Sequence, residues 1–184
     1  MMEIVAICGS RSPKGQTARA VASLLEGAKE AGAQTDVLYL PQMRIERCRQ
    51  CDDAGWGLCR SEGRCVVQDD FAAITARIAA AGAVVFATPV YWGDLSESLR
   101  ALLDRLRRTT VFPAAKERYM NKPAIGVCVA GGGGGGAPNC CVQLEKVLHT
   151  IGLNVLDMVP VRRQNLDGKV QVLRATGRCL AAQT

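Results

Sequence analysis

The sequence predicts an α/β domain, an open and mainly parallel sheet with helices on both faces. Three observations carry this reading. Apolar, strand-like runs alternate with helix-period segments five times along the chain. Two of those runs, AVVFATP and PAIGVCVA, are apolar at nearly every position, the pattern of strands covered on both faces. Three strand ends lead into turns rich in glycine, serine or aromatic residues, and ligands of such sheets sit beyond the carboxyl ends of the strands.

The elements follow in order. Ile4 to Ile7 is a short apolar run and the first strand. The first helix spans Gln16 to Ala31: Ala18, Val21, Ala22, Leu25 and Ala28 share one face, and Gly32 supplies the left-handed residue that ends it. TDVLYLP is the second strand, stopped by Pro41. Residues 42–69 have no clear period and form a cysteine-rich insertion. DFAAITARIAAAG is helical, with Phe71, Ile74 and Ile78 aligned and Gly82 as its stop, and AVVFATP is the third strand. DLSESLRALLDRLRR is a helix in which Asp94 stands three residues before Glu97, the spacing of a capping box. Residues 109–122 connect it to PAIGVCVA, the fourth strand. Gly131 to Gly136 follow, then Pro138 just inside a helix whose Leu144, Val147, Leu148 and Ile151 share a face and which Gly152 ends. LNVLDMVP is the fifth strand, and the tail from Lys169 to Ala181 is weakly helical through Val170, Leu173 and Leu180. No internal repeat or linker divides residues 1–184, so one domain is expected.

Composition narrows the class. Hydrophobic residues make up 48% and charged residues 22%, as in a soluble globular protein. No run approaches the roughly 18 uninterrupted apolar residues of a membrane span. MMEIVAICGS reads as a first strand and not as a signal peptide. Nine cysteines without a secretion signal point to a reducing, cytoplasmic location. A net charge of +6 suits anionic ligands. The densest bases, Arg105, Arg107 and Arg108 with Arg162 and Arg163, lack interleaved aromatics, so they read as a solvated face and nucleic acid is not expected as a partner.

The first turn, ICGSRSPKGQT, resembles a phosphate seat. It is not a Walker A loop, because five residues separate Gly9 from Gly15 and Gln16 stands in the lysine position. It also lacks Gly-x-Gly-x-x-Gly, which only the Gly131–Gly136 homopolymer satisfies, and trivially. What remains is a hydroxyl-rich turn, Ser10, Ser12 and Thr17, with Gln16 at a helix start. Hydroxyls, free N–H groups and the helix dipole together suit a terminal monophosphate. The competing reading is a capped turn with no ligand. The second turn places Pro89, Val90, Tyr91, Trp92 and Gly93 at a strand end, where aromatics and amides can flank a flat heterocycle; the competing reading packs Tyr91 and Trp92 between helices or at a subunit contact. The third turn, all glycine, lets backbone approach a planar ring, or is simply a loose connection.

GSRSPKGQT resembles the Gly-Ser-Pro-Arg-x-x-Gly-Asn-Thr loop of NADPH-dependent FMN reductases and iron–sulfur flavoproteins, and TPVYWGDLSESLRALLDRL resembles that family's second flavin loop. The likeness covers roughly Ile4 to Val159. It implies a three-layer flavodoxin-like fold, a five-stranded parallel sheet of order 2-1-3-4-5, with bound FMN. By the same resemblance Ser10, Ser12, Gln16, Thr17 and Ala18 hold the phosphate, Pro89, Val90, Tyr91, Trp92 and Gly93 border the isoalloxazine, and Gly131, Gly132 and Gly133 line its other edge. The first loop departs from the family at Arg11, Ser12 and Pro13, where proline and basic residues exchange places. NAD(P)H is the implied co-substrate, passing hydride to the flavin, and a flavin, quinone, azo compound or metal is the small-molecule acceptor. The chemistry is the cofactor's, so no catalytic side chain is assigned. His149, the single histidine, falls late in an amphipathic helix, a helix-end or surface place.

CRQCDDAGWGLCRSEGRC holds Cys48, Cys51, Cys59 and Cys65 in a connection long enough to demand bracing or function. In iron–sulfur flavoproteins a compact four-cysteine motif at this place carries a 4Fe–4S cluster. The gaps here are two, seven and five residues, so the cysteines match that motif in order only. A cluster, a four-thiolate zinc site and free thiols or a reversible disulfide all remain open. Cys8, Cys128, Cys140, Cys141 and Cys179 read as small core residues. Two other functions stand beside the reductase: an electron carrier relaying single electrons through a cluster, and a flavin-binding redox sensor or interaction module without turnover. The resemblance also implies a homodimer or homotetramer, with residues 109–122, including Phe112 and Tyr119, and the cysteine loop as contacts.

Overall fold

Alternation along the first strand sorts the core into two layers. In β1 (Glu3–Cys8), Val5 and Ile7 face one side while Ile4, Ala6 and Cys8 face the other, all fully buried. A computed structural model, which describes residues 2–183, completes the sheet. It adds β2 (Gln34–Tyr39), β3 (Ala83–Pro89), β4 (Pro123–Ala130) and β5 (Asn154–Arg162), all parallel, in the order β2-β1-β3-β4-β5. Helices α1 (Gln16–Glu30) and α7 (Leu166–Ala181) cover the Ile4 face. Helices α3 (Phe71–Ala80), α4 (Glu97–Thr109) and α6 (Ala137–Ile151) cover the Val5 face. Two single turns, α2 (Leu58–Ser61) and α5 (Pro113–Lys116), lie in the connections. This is the flavodoxin-like order, in which the direction of winding across the sheet reverses between β1 and β3. Among the described residues no helix is long and apolar enough to cross a membrane.

Three local expectations are corrected. The tail is a full helix of 16 residues, not a weak one. Gly168 and Gly177 lower its intrinsic propensity, but packing overrides them. Gly177 lies against the Leu24 carbonyl and Gly27 against the Arg174 carbonyl, so a Cβ at either glycine would collide with backbone. The capping box at Asp94 is absent. Ser96 is the N-cap of α4, while Asp94 accepts from the Leu95 N–H at 2.7 Å and pairs with Arg100. Tyr119 is not an exposed contact: it is 4% exposed, and its hydroxyl donates to the Thr75 carbonyl at 3.4 Å.

The largest departure is Arg105, which falls on the same face of α4 as Leu99, Leu102, Leu103 and Leu106 and is buried with them. Its guanidinium grips Asp69 through two hydrogen bonds of 2.6 and 2.8 Å, donates to the Glu46 carbonyl at 3.0 Å and lies 4.2 Å over the Phe71 ring. Asp69 also accepts the N–H groups of Glu46 at 2.8 Å and Phe71 at 3.2 Å. One ion pair thus ties both ends of the cysteine-rich insertion to α3 and α4. Burial works against the Asp69 charge, yet the Arg105 fork and the two backbone donors hold its carboxyl below the ordinary value.

Removing one partner of a buried pair strands the other, so Arg105→Met should cost about 3–5 kcal/mol in a urea melt. Because the folded Asp69 value is depressed, the pair's contribution is complete above the ordinary carboxylate value of 3.8 and is lost as pH falls through the lower folded value. A wild-type chain whose stability fell no faster than that of Asp69→Asn across that acid range would contradict this assignment.

Candidate functional site

Three turns leave the carboxyl ends of β1, β3 and β4 and meet over the sheet. The β1 turn is drawn to β3 by the Gly9 N–H, which donates to the Ala87 carbonyl at 2.8 Å. The β3 turn is drawn to β4 by the Val90 N–H, which donates to the Val129 carbonyl at 2.9 Å. Between the first two turns lies a buried set of hydroxyls. Thr88 Oγ1 accepts from the Ser96 N–H at 2.9 Å and stands 3.3 Å from Ser96 Oγ, and Ser98 Oγ donates to the Gly9 carbonyl at 3.4 Å. Gly9 has no room for a side chain: a Cβ would strike Ser96 Oγ and lie 3.2 Å from Leu99 Cβ.

The turns enclose a cleft of about 570 Å³, within the range of small-molecule sites. Ser10, Gln16, Thr17, Pro89, Val90, Tyr91, Gly131 and Gly132 all line it. Sequence reasoning missed Gly15, Val129 and Arg163, which line it too. Arg163 follows the end of β5, so only the register of that edge strand reveals that one of the apparent surface bases faces the cleft. Ser12, Ala18, Trp92, Gly93 and Gly133 stand outside the lining. Ser12 is exposed and shapes the turn through its carbonyl, which accepts from Ser10 Oγ at 3.4 Å and Gly15 N–H at 3.2 Å.

Helix α1 points its N-terminus at this cleft. No side chain caps it and its first turn carries no acid, so its leading N–H groups remain available to an anion. Gln16, at its first position, carries the most informative atom of the site: its side-chain oxygen is buried and has no hydrogen-bond partner among the described residues. Buried polar atoms are almost always paired, and this one lies on the cleft wall beside Gly131.

The lip is formed by Tyr91–Asp94, closed by two reciprocal backbone bonds of 3.0 Å. Trp92 and Gly93 take φ of +54° and +78°, the left-handed pair of a type I′ turn. Such a conformation costs an aromatic residue on the order of 1–3 kcal/mol. Asn139 Nδ2 steadies the turn by donating to the Gly93 carbonyl at 3.1 Å. Tyr91 is 48% exposed and Trp92 wholly so; neither packs between helices.

The four insertion cysteines come together in a different place. Cys48, Cys51, Cys59 and Cys65 line one small pocket with Trp56, Arg105 and Arg108. The space they enclose is about 20 Å³, and among the described residues no group of three or more Cys, His, Asp or Glu side chains is set to hold a metal ion. Of the remaining cysteines, Cys8, Cys128, Cys140 and Cys141 are buried as expected, whereas Cys179 is exposed on α7. His149 is on the surface, 3.9 Å from Glu145.

The fold and the three-turn cleft define a flavodoxin-like flavoprotein of the oxidoreductase class. The family model for NADPH-dependent FMN reductase matches residues 2–173, and the chain belongs to that family. It is 31% identical over 158 residues to an iron–sulfur flavoprotein of Methanosarcina thermophila, covering 84% of this chain and 77% of that one. An iron–sulfur flavoprotein of Methanocaldococcus jannaschii is 28% identical over 131 residues, 71% of this chain and 65% of its own length. The NAD(P)H-dependent FMN-containing oxidoreductase YwqN of Bacillus subtilis is 28% identical over 179 residues, covering 86% of this chain and 95% of YwqN. Among solved structures, RosB with bound 8-demethyl-8-formylriboflavin-5′-phosphate superposes with a TM-score of 0.74 at 18% identity, covering 98% of this chain and 79% of RosB.

If the Gly9–Ser96 contact sets the cleft, Gly9→Ala should cost about 1–3 kcal/mol through overpacking. Adding Ser96→Ala, which removes the obstructing hydroxyl, should recover part of that loss. Thermal melts of the two single variants and the double variant test this; strictly additive losses would contradict it.

Proposed function

We propose that this chain is an FMN-dependent NAD(P)H oxidoreductase that delivers electrons to a small acceptor such as a flavin, a quinone, an azo compound or a metal. The observation that carries the reading is the unpartnered Gln16 oxygen, buried in the wall of a cleft of flavin size beside an uncapped helix N-terminus. The donor set fits FMN. Ser10, Thr17, Gln16 and the leading N–H groups of α1 hold the phosphate, with Ser12 and Ala18 completing the turn and Arg163 adding positive charge. Gln16 reaches toward Gly131 and meets a polar group of the flavin's chain or ring. Pro89, Val90 and Tyr91 border the ring on one side, with Trp92 and Gly93 at the lip; Gly131, Gly132 and Gly133 border the other.

FMN, when bound, accepts hydride from the reduced nicotinamide and passes the electrons to the acceptor. The protein's part is to bind, orient and leave one ring face open. The exposed Tyr91 and Trp92 support a site that a second subunit covers in a homodimer or homotetramer. The family's NADPH-dependent reductases and the name of the YwqN relative support the nicotinamide.

A second reading has its own observation. Four cysteines lining one pocket, together with relatives named iron–sulfur flavoproteins, support an electron carrier in which a cluster on that loop exchanges single electrons with the FMN.

The purified chain should bind FMN, turn yellow, and bleach when NADPH or NADH is added. Gln16→Ala removes one buried hydrogen-bond partner, worth about 0.5–1.5 kcal/mol, so its Kd for FMN should rise roughly 3–10-fold. A flavin titration followed by fluorescence measures this. Failure of the wild-type chain to take up FMN would overturn the reading, and unchanged affinity in Gln16→Ala would remove the role of that residue.

A further inference from the structure

A single hydroxyl sets the direction of a carbonyl in the cleft wall. Thr88 is the last residue but one of β3 and Pro89 the last. Pro89 lines the cleft, whereas Thr88 lies behind it, wholly buried. The Thr88 hydroxyl has one proton to give. It goes to the Pro89 carbonyl at 2.8 Å, the nearer of two acceptors, since Ser96 Oγ stands at 3.3 Å. The same hydroxyl oxygen accepts the Ser96 N–H at 2.9 Å. Thr88 thereby ties the end of β3 to the N-cap residue of α4, with its donor and its acceptor both in use. Pro89 has no N–H, so its carbonyl is the only polar group it brings to the wall. Thr88 commits that oxygen to the buried side. The next two residues of the wall are fixed by main chain instead, Val90 by its N–H to the Val129 carbonyl and Tyr91 by its two bonds to Asp94. Among these three residues the Pro89 carbonyl is the group whose direction depends on a side chain.

That direction matters to whatever lies against Pro89. Reduced flavin carries more negative charge than oxidised flavin, and protein charges and dipoles beside the ring tune its potential. A carbonyl oxygen facing the ring opposes the reduced form. We propose that Thr88 is a positioning residue for the flavin: by holding the Pro89 carbonyl inside the protein it keeps that oxygen off the ring and so raises the reduction potential of the bound cofactor. The proposal rests on the FMN reading of the cleft. Without the hydroxyl, both the Pro89 oxygen and the Ser96 N–H lose a partner in a buried place. A buried acceptor left unpaired is costly, so the Pro89 carbonyl turns toward the open cleft, where it meets the ring.

The test uses the full chain loaded with FMN, its midpoint potential read anaerobically by absorbance against a reference dye. Thr88→Val keeps the shape and removes the hydroxyl; Thr88→Ser keeps the hydroxyl and removes the methyl group. Thr88→Val should become harder to reduce. At the wild-type midpoint its reduced-to-oxidised flavin ratio should fall about tenfold, equivalent to about 30 mV for two electrons. Thr88→Ser should keep the wild-type midpoint, although both variants lose thermal stability. A merely structural Thr88 would lower the melting temperature without moving the potential. If Thr88→Val does not fold, Thr88→Cys, whose thiol is a weak donor, should move the midpoint in the same direction. A midpoint unchanged on loss of the hydroxyl, or moved equally by Thr88→Ser, would overturn the assignment of Thr88 while leaving the FMN reading in place. A wild-type chain that takes up no FMN would overturn both.

Discussion

The cleft depends on a contact one residue wide. Gly9 passes so close to Ser96 that the turn after β1 and the turn after β3 share a single packed boundary, sealed by Thr88, Ser96 and Ser98. Sheet order makes this possible, because β1 and β3 are neighbours at the point where strand order reverses. With the two turns locked, the N-terminus of α1 and the Gln16 side chain face the glycine run after β4 across the cleft. Polar groups buried this way are costly unless satisfied, so the hydroxyls inside the boundary are paired among themselves, while the Gln16 side-chain oxygen on the cleft wall has no partner among the described residues.

A second constraint lies at the other end of the same helix. Helix α4 follows its N-cap Ser96, beside the turns of the cleft, and its last turns carry Arg105 and Arg108, beside the cysteines. Its 13 residues span about 20 Å. Arg105 is bound to Asp69 at the end of the insertion and to the Glu46 carbonyl near its start, so an otherwise irregular segment is clamped at both ends. The fold thus keeps two chemically distinct sites at fixed separation on one rigid element.

Much of this was legible in the residues, for physical reasons that can be named. Strands buried on both faces write themselves as unbroken apolar runs, and β3 and β4 did so. The β1 turn, with its hydroxyls, glycine and helix start, reads as a ligand turn, and its Ser10, Gln16 and Thr17 line the cleft. What stayed hidden depends on tertiary packing. Arg105 counts as a surface base in composition, although its helical spacing with Leu102 and Leu106 places it on the buried face. Helix α7 is masked by Gly168 and Gly177, of which Gly177 allows a close crossing with α1. Arg163 enters the cleft only because β5 ends where it does. The left-handed Trp92 follows from the tight turn around it, a conformation no propensity scale would assign to tryptophan.

The most direct measurement is a crystal structure of the chain grown with FMN. The account predicts the phosphate on the first N–H groups of α1, the ring between Pro89–Tyr91 and Gly131–Gly132, and the Gln16 side-chain amide hydrogen-bonded to the bound flavin. Flavin seated elsewhere, or a Gln16 oxygen still without a partner when the cleft is filled, would contradict it.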